Sequence, residues 1–510
     1  MKKVLILDFG SQYTQLIARK VRELGVFSEI FPFSAALSEI KKENPGAVIL
    51  SGGPQSVYDH DAASLSFNIK ELGVPVLGIC YGLQLMSDLL GGKVIPSKKR
   101  EYGFASLEVR KGDGLLQGIE GKSQVWMSHG DRVLEVPSGF IVTGMTENCD
   151  TAVIENRKSQ FFGVQFHPEV IHSQKGKKIL SNFLFKISGM KPDWDIRSFI
   201  DKKIQEIREL VDDEKVICGL SGGVDSLVAS LLVKRAVGKN LTCIFVNNGL
   251  LRKGQYEKLI DTFRKEFGLN VEAVDAEAMF LEKLKGVMAP EEKRKIIGRE
   301  FINIFEREAG KIGEVQFLAQ GTIYPDIIES NPVTGPSSSI KSHHNVGGLP
   351  EKLPFMLVEP LKELFKDEVR KLGLEMGVIS DFIFQHPFPG PGLAVRVVGE
   401  VTEDRLKTLR DADAVVIDEV KRAGIYNDLW QAFAVLLPVK SVGVMGDRRT
   451  YQRVVVVRLV QSVDGMTAGW FRADPFLLSR ISTRIVNEVE GVNRVVYDIT
   501  SKPPGTIEWE

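Results

Sequence analysis

Val74-Pro75-Val76-Leu77-Gly78-Ile79-Cys80-Tyr81-Gly82-Leu83-Gln84 decides how the amino-terminal part of this chain is read. Val74 to Leu77 is a short apolar run of the kind that forms a buried strand, and Leu83 to Leu90 reads as an apolar helix. A strand that turns straight into a helix lifts its middle residue out of the sheet, and glycine on either side permits a tight backbone. The lifted residue is a cysteine, and the amides at the start of the helix face its sulfur and favour the anion. That is the address of a nucleophile. An isolated cysteine is more often a buried structural one, so the rest of the chain must supply partners.

Working outward, Val164-Gln165-Phe166-His167-Pro168-Glu169 ends another apolar run, with His and Glu two positions apart and on one side if the backbone stays extended. A histidine can take the thiol proton while a carboxylate holds its ring in the right tautomer. Ser51-Gly52-Gly53-Pro54 follows the run Ala47 to Leu50, and free amides on such a turn, with that of Tyr81, can stabilise a developing oxyanion. VLILDF from Val4, AVILSGG, VPVLGIC and FFGVQFH are strand candidates, and Tyr13 to Leu24 is a helix. The alternation predicts an α/β domain on a mainly parallel sheet.

A second α/β pattern opens with Lys215 to Leu220 as a strand, then Ser221-Gly222-Gly223-Val224-Asp225-Ser226, then a helix from Leu227 to Ala236. Exposed amides and hydroxyls at a helix N-terminus can cradle a phosphate, although simple strand–helix packing also uses glycine turns. The Gly-Lys-Ser/Thr ending of a Walker A loop is missing. Strands are expected at Leu241 to Val246 and Val315 to Ala319, the latter followed by Gln320-Gly321-Thr322-Ile323-Tyr324-Pro325-Asp326, where Asp326 equally suits a turn. Residues 330–350 are irregular and rich in Ser, Gly, Pro and Asn, a pattern of lids or of disorder. They carry Lys341, His343 and His344, and two adjacent histidines without further ligands make a poor metal site.

Near residue 386 the texture changes. Strands are expected at Leu393 to Val398, Ala434 to Leu437, Ser441 to Gly446, Val454 to Val460 and Arg494 to Ile499, with helices at Asp404 to Arg422 and Pro475 to Val489. The pattern predicts an α+β segment of split β-α-β type. VVVVRLV at 454–460 suits an interface or a buried core strand equally. The run Tyr497 to Glu510, with Pro-Pro-Gly, Ile, Trp and acids, reads as a tail fixed into a site or docked for stability.

Composition narrows the class. The 510 residues include 66 Lys+Arg against 66 Asp+Glu, so no overall field draws nucleic acid or an anionic membrane. With 43% hydrophobic residues there is material for several cores. No run approaches the roughly 20 apolar residues of a membrane span, and the opening apolar segment meets Asp8 too early for a signal peptide. Cys80, Cys149, Cys218 and Cys243 have neither metal nor disulfide spacing. A cytoplasmic protein with reduced thiols is expected.

The motifs as a set carry a family resemblance. GICYGLQ, SGGP and FGVQFHPE resemble the class I glutamine amidotransferases. That resemblance implies Cys80 as nucleophile, His167 as base, Glu169 as its orienting partner, Gly53 and Tyr81 as oxyanion amides, and Gln84 and Asp131 (in SHGDRV) as glutamine-holding residues. SGGVDS is similar to the pyrophosphate loop of N-type ATP pyrophosphatases, which adenylylate a substrate oxygen. It implies ATP contacts at Ser221, Gly222, Gly223, Val224, Asp225, Ser226, Leu227, Val246 and Gly321, with Mg²⁺ on Asp225. IKSHHNVGGLP, HPFPGPG and the closing tail resemble the glutamine-hydrolysing GMP synthetases, a likeness that spans the chain. It implies phosphate contacts from Lys341 and His343 on a lid, and xanthosine monophosphate (XMP) contacts from Arg252, Gln431, Arg494, Lys502 and Glu508. It also implies a homodimer through the last domain, and neither nucleic acid nor membrane as partner. The expected organisation is two doubly wound, mainly parallel α/β domains, an amidotransferase over 1–190 and an ATP pyrophosphatase over 191–385, with an α+β domain over 386–510. An NAD-synthetase type of ligase would share the first two motifs but not the tail, and a tRNA-thiolating protein would call for a basic patch and a cysteine pair.

Overall fold

Val4–Asp8, Ala47–Leu50, Val76–Ile79 and Phe161–Val164 become neighbouring parallel strands of one sheet in the computed structural model, which describes residues 2–330, 355–462, 465 and 467–510. All four are buried along their whole length, which is why they read as unbroken apolar runs rather than alternating ones. Ser28–Pro32 pairs parallel outside Val4–Asp8. Beyond Phe161–Val164 the sheet continues antiparallel through Val153–Asn156, Ile141–Met145, Lys93–Val109 and Lys122–Glu135. The carboxyl ends of the four central parallel strands thus lie side by side, and the glycine turn, the elbow and His167 all leave from that edge. These strands belong to a compact unit of residues 2–198.

The described residues from 199 onward form a second compact unit. Its five-stranded sheet is parallel, in the order Val271–Asp275, Leu241–Asn247, Lys215–Leu220, Val315–Ala319, Met356–Val358. The chain steps outward from Lys215–Leu220 in one direction, then returns to build the other side. The crevice between Lys215–Leu220 and Val315–Ala319 is therefore the topological switch point, where doubly wound sheets take ligands. A further sheet pairs Gln431–Met445 antiparallel with Arg448–Gln461, and Val492–Tyr497 runs parallel to the latter. Helices Glu403–Arg422 and Pro475–Glu488 pack on it. One hydrophobic core runs from Ile217 and Ile244 through Leu406 to Val455 and Val492, so the two parts separated at residue 386 on sequence share their interior.

Two sequence expectations are corrected here, and one open alternative is settled. Leu393 to Val398 is no strand: Gly392–Arg396 is a short 3₁₀ helix, and Val397 makes a single bridge to Leu436. Gly392 has φ +62°, and a Cβ there would lie 2.5 Å from the Leu250 carbonyl oxygen, so the chain turns close under that residue. The run is apolar because it is buried, and burial carries no preference for extended backbone. The expected strands Ala434 to Leu437 and Ser441 to Gly446 are one strand with a register shift between Leu436 and Lys440. The run 454–460 is core rather than surface, with Val454 to Val457 buried. Lys341 and His343 lie outside the described residues.

Candidate active sites

Cys80 stands on a strained elbow, with φ +52° and ψ −109°, a conformation that costs a non-glycine residue on the order of 1–3 kcal/mol. Its N–H donates to the Val164 carbonyl at 2.8 Å, and its own carbonyl accepts from Leu83 and Gln84 at 3.1 and 3.2 Å. These bonds tie the elbow to the neighbouring strand and to its own helix. The flanking glycines serve crowding rather than φ: a Cβ on Gly78 would sit 2.5 Å from the Gly82 carbonyl oxygen, and one on Gly82 would sit 2.7 Å from the Leu50 carbonyl carbon.

His167 follows the adjacent strand and is nearly fully buried. Its Nδ1–H donates to Glu169 Oε1 at 2.7 Å, its backbone N–H donates to the Trp126 carbonyl at 3.0 Å, and the Ser173 hydroxyl donates to its carbonyl at 2.6 Å. Burial alone would push the imidazole pKa down, but the Glu169 carboxylate and the Cys80 sulfur outweigh it and hold it well above the ordinary histidine range. With Nδ1 committed to Glu169, Nε2 is the nitrogen left for the thiol proton. The turn Ser51 to Pro54 lies against both partners: a Cβ on Gly52 would be 3.3 Å from His167 Cε1, and one on Gly53 would be 3.2 Å from the Tyr81 ring. Among the described residues neither the Gly53 nor the Tyr81 amide has an acceptor, as an oxyanion site needs.

Gln84 and Asp131 are brought together beside this group. Gln84 Nε2 donates to the Asp131 carbonyl at 3.0 Å and to Gln165 Oε1 at 3.3 Å, while the Asp131 carboxylate accepts from the hydroxyls of Ser56 and of Tyr58, the latter at 2.7 Å. Sequence reasoning missed Tyr13, whose ring meets His167 edge-on at 4.8 Å, and Gln165, whose amide lies 3.8 Å from Cys80 Sγ. It also missed the Ser128 carbonyl, 3.5 Å from that sulfur, and the buried Glu101–His129 pair behind Asp131. Gln165 stood inside a quoted motif, but nothing local marks Tyr13.

The Glu169 charge has a testable consequence. Glu169→Gln should lower glutamine hydrolysis by about 10,000-fold, the scale on which an orienting carboxylate acts in a triad. It should also lower the His167 pKa, because a stabilising anion is gone. The alkaline limb of the pH–rate profile, where the imidazolium is lost, should then move to lower pH. A limb that stays in place in the variant would refute the arrangement.

At the switch point the Ser226 hydroxyl accepts from the Ser221 N–H at 3.1 Å and donates to the Gly223 carbonyl at 3.1 Å, while Ser221 Oγ accepts from the Gly223 N–H at 3.3 Å. These contacts close the turn on itself ahead of helix Val224–Val237. A Cβ on Gly321 would lie 2.9 Å from the Asp225 carbonyl carbon and the Ser226 nitrogen, so the loop after Val315–Ala319 presses directly on this turn. Leu220 pairs with Phe245, which leaves Val246 one residue past the last pairing on that side. Asp225 Oδ2 accepts from Lys366 Nζ at 2.5 Å, while Oδ1 is buried without a partner among the described residues. A carboxylate with one oxygen held and the other free at a phosphate cradle fits a hard divalent cation. Lys366 opens helix Lys366–Glu375 and belongs to no motif, so the sequence did not flag it.

Of the five expected XMP residues, three share a neighbourhood. Gln431 Nε2 donates to Glu508 Oε1 at 3.1 Å and to the Pro387 carbonyl at 2.7 Å. Arg252 Nε lies 3.4 Å from Asp413 and its guanidinium stands over Phe388, the ring that Arg396 also faces. Arg396 in turn forks onto Glu508. The other two point elsewhere: Arg494 is exposed and donates to the Ser441 hydroxyl at 2.6 Å, and Lys502 donates to the Gly465 carbonyl at 2.8 Å.

Comparison with known proteins parallels this division. Residues 5–187 match the family described as glutamine amidotransferase class-I, residues 195–297 match NAD synthase, and residues 418–509 match the GMP synthase C terminal domain. A protein of Carboxydothermus hydrogenoformans is 57% identical over 508 residues, one of Aquifex aeolicus 56% over 509, and one of Brachyspira hyodysenteriae 55% over 508. Each alignment covers 100% of this chain and 99% of the relative, and each relative bears the name GMP synthase (glutamine-hydrolyzing).

Proposed function

The chain belongs to the glutamine-hydrolysing GMP synthases, and from that premise we propose how its residues divide the making of GMP from XMP, ATP and glutamine. Cys80 attacks the side-chain carbonyl of glutamine after passing its proton to His167, and the oxyanion accepts from the Gly53 and Tyr81 amides. Collapse to a thioester returns that proton to the departing ammonia, and water then releases glutamate. In the second unit the C2 oxygen of XMP attacks the α-phosphorus of ATP and pyrophosphate leaves. Ammonia displaces AMP from C2, and GMP results. The single observation that carries this reading is the buried His167–Glu169 bond of 2.7 Å set against a cysteine on a strained elbow.

The turn 221–226 holds the β,γ-phosphates, with Val246 and Gly321 bordering the nucleotide and Lys366 as an added phosphate contact. Asp225 would hold a Mg²⁺ arriving with ATP, and such an ion would supply charge neutralisation at the departing pyrophosphate. Arg252, Gln431 and Glu508 bind XMP, with Lys341 and His343 contributing phosphate contacts from the segment beyond the described residues, while Arg494 and Lys502, whose side chains turn to Ser441 and Gly465, are left out of the site. Residues 1–190, 191–385 and 386–510 are the glutaminase, adenylylating and acceptor-binding parts. The NAD synthase match stops at residue 297, and the match over 418–509 favours XMP over deamido-NAD as acceptor. The deciding assay is ATP-dependent conversion of XMP with glutamine or ammonium. Absence of GMP with both nitrogen sources would overturn it.

A homodimer forms through the last part. Support comes from the outer arms of the hairpin Gln431–Met445 and Arg448–Gln461, where Val439, Val442, Val444, Met445 and Tyr451 are exposed, Val444 by 75% and Tyr451 by 64%. Apolar residues clustered on a surface in this way mark an interface. Val444→Lys should shift light scattering from the dimer mass to that of one chain, and an unchanged mass would place the interface elsewhere. No helix among the described residues is long and apolar enough to cross a membrane, and all four cysteines are free, which supports a reducing cytoplasmic setting.

A further inference from the structure

Three cations that the protein has buried hold the closing segment 498–510. Arg458 donates to the carbonyls of Thr500 at 2.5 Å and Thr506 at 3.0 Å and lies 3.1 Å from Asp498. Arg396, with no exposed surface, sends Nε to Glu508 Oε2 at 2.9 Å and Nη2 to Oε1 at 2.8 Å, its guanidinium seated over Phe433. Lys293, equally enclosed, donates to the carbonyls of Ala394 at 3.1 Å and Val397 at 2.8 Å and pairs with the Glu510 carboxylate. That carboxylate also accepts from the Gly399 N–H at 2.9 Å, and Arg294 donates to the Glu510 main-chain oxygen at 2.6 Å.

A tail docked only for stability has no use for such anchors. Each buried ion loses several kcal/mol of solvation, and apolar side chains of similar volume usually hold as well. What the ions add is direction. A guanidinium fork fixes the plane of the carboxylate it meets, which a lysine or an apolar contact does not. Glu508 Oε1 accepts from both Arg396 Nη2 and Gln431 Nε2, while Oε2 accepts, among the described residues, only from Arg396 Nε and keeps acceptor capacity for a ligand. Glu510, two residues on, is fixed independently, so the chain cannot swivel about Trp509.

We propose that Arg396 and Lys293 are positioning residues of the XMP site: they lock Glu508 to Glu510 so that the Glu508 carboxylate meets the N–H groups of the purine in one orientation. This rests on Glu508 being an XMP contact. Neither cation touches substrate.

The experiment is steady-state kinetics on the full-length enzyme with ammonium as nitrogen source, for Glu510→Ala, Arg396→Lys and Glu508→Ala. Glu510→Ala leaves both buried cations in place and removes one anchor. Arg396→Lys keeps the charge and loses the fork. Each should raise KM for XMP about tenfold, the worth of one charged hydrogen bond, while kcat and KM for ATP stay within about twofold. If Glu508→Ala raises KM for XMP but the other two do not, the positioning claim fails alone. If Glu508→Ala leaves KM for XMP unchanged, the reading of the tail as an XMP contact fails. Should Glu510→Ala only lower the melting temperature, or depress kcat with both KM values unmoved, the anchors are structural and the proposal is overturned.

Discussion

Cys80→Ala should abolish GMP formation from glutamine, by about 100,000-fold or more as for other triad nucleophiles, and leave formation from ammonium within about twofold of the parent. Every atom argued to hydrolyse glutamine belongs to the unit of residues 2–198: the elbow, the His167–Glu169 pair, the Gly53 and Tyr81 amides, and Gln84 with Asp131. The ATP turn and the Arg396–Glu508 pair belong to the other unit. External ammonium bypasses the first set and still depends on the second. The substitution itself is mild, because alanine accepts the backbone that Cys80 already holds at φ +52° no worse than cysteine does. Loss of activity with ammonium as well would join the two chemistries in a way this division forbids. The assay is GMP yield with each nitrogen source, with ATP and XMP saturating.

Much of this was legible in the sequence where structure is local. The central parallel strands announce themselves because burial on both faces removes alternation, and the glycine turns that end them mark the functional edge. The triad was legible because its three members follow two such strands. What escaped has long-range causes. Leu393 to Val398 looks like a strand until Gly392 is seen turning under Leu250 and Arg396 is seen reaching 112 residues along the chain to Glu508. The same residue explains why an arginine can stand in an otherwise apolar run. Lys293 in a charged helix and Lys366 at a helix start read as solvated lysines, and only the folded chain gives them Glu510 and Asp225. The antiparallel strands Lys93–Val109 and Lys122–Glu135 alternate and carry many charges, so they lack the signature that identified the others.

Asp225→Asn should stop adenylylation with either nitrogen source, by about 100- to 1,000-fold, the loss usual for one group that stabilises charge in a transition state. The substitution is nearly isosteric, and asparagine can still accept from Lys366 through its amide oxygen, so the contact of 2.5 Å has a successor. The acid also sits in the first turn of helix Val224–Val237, where replacing it forfeits only about 0.3–1 kcal/mol of dipole stabilisation. Neither loss accounts for so large a drop in rate. A second variant separates the causes. If Asp225 mattered only through its ion pair, Lys366→Met would reproduce Asp225→Asn in full. If Oδ1, without a partner among the described residues, holds the ion that travels with ATP, then Asp225→Asn should also raise the Mg²⁺ concentration needed for half-maximal rate, and Lys366→Met should not. ATP–pyrophosphate exchange in the presence of XMP reads adenylylation directly, and glutamine hydrolysis in the same preparations confirms that the first unit is intact. Unchanged exchange in Asp225→Asn would remove Asp225 from the chemistry and leave the turn as a packing device.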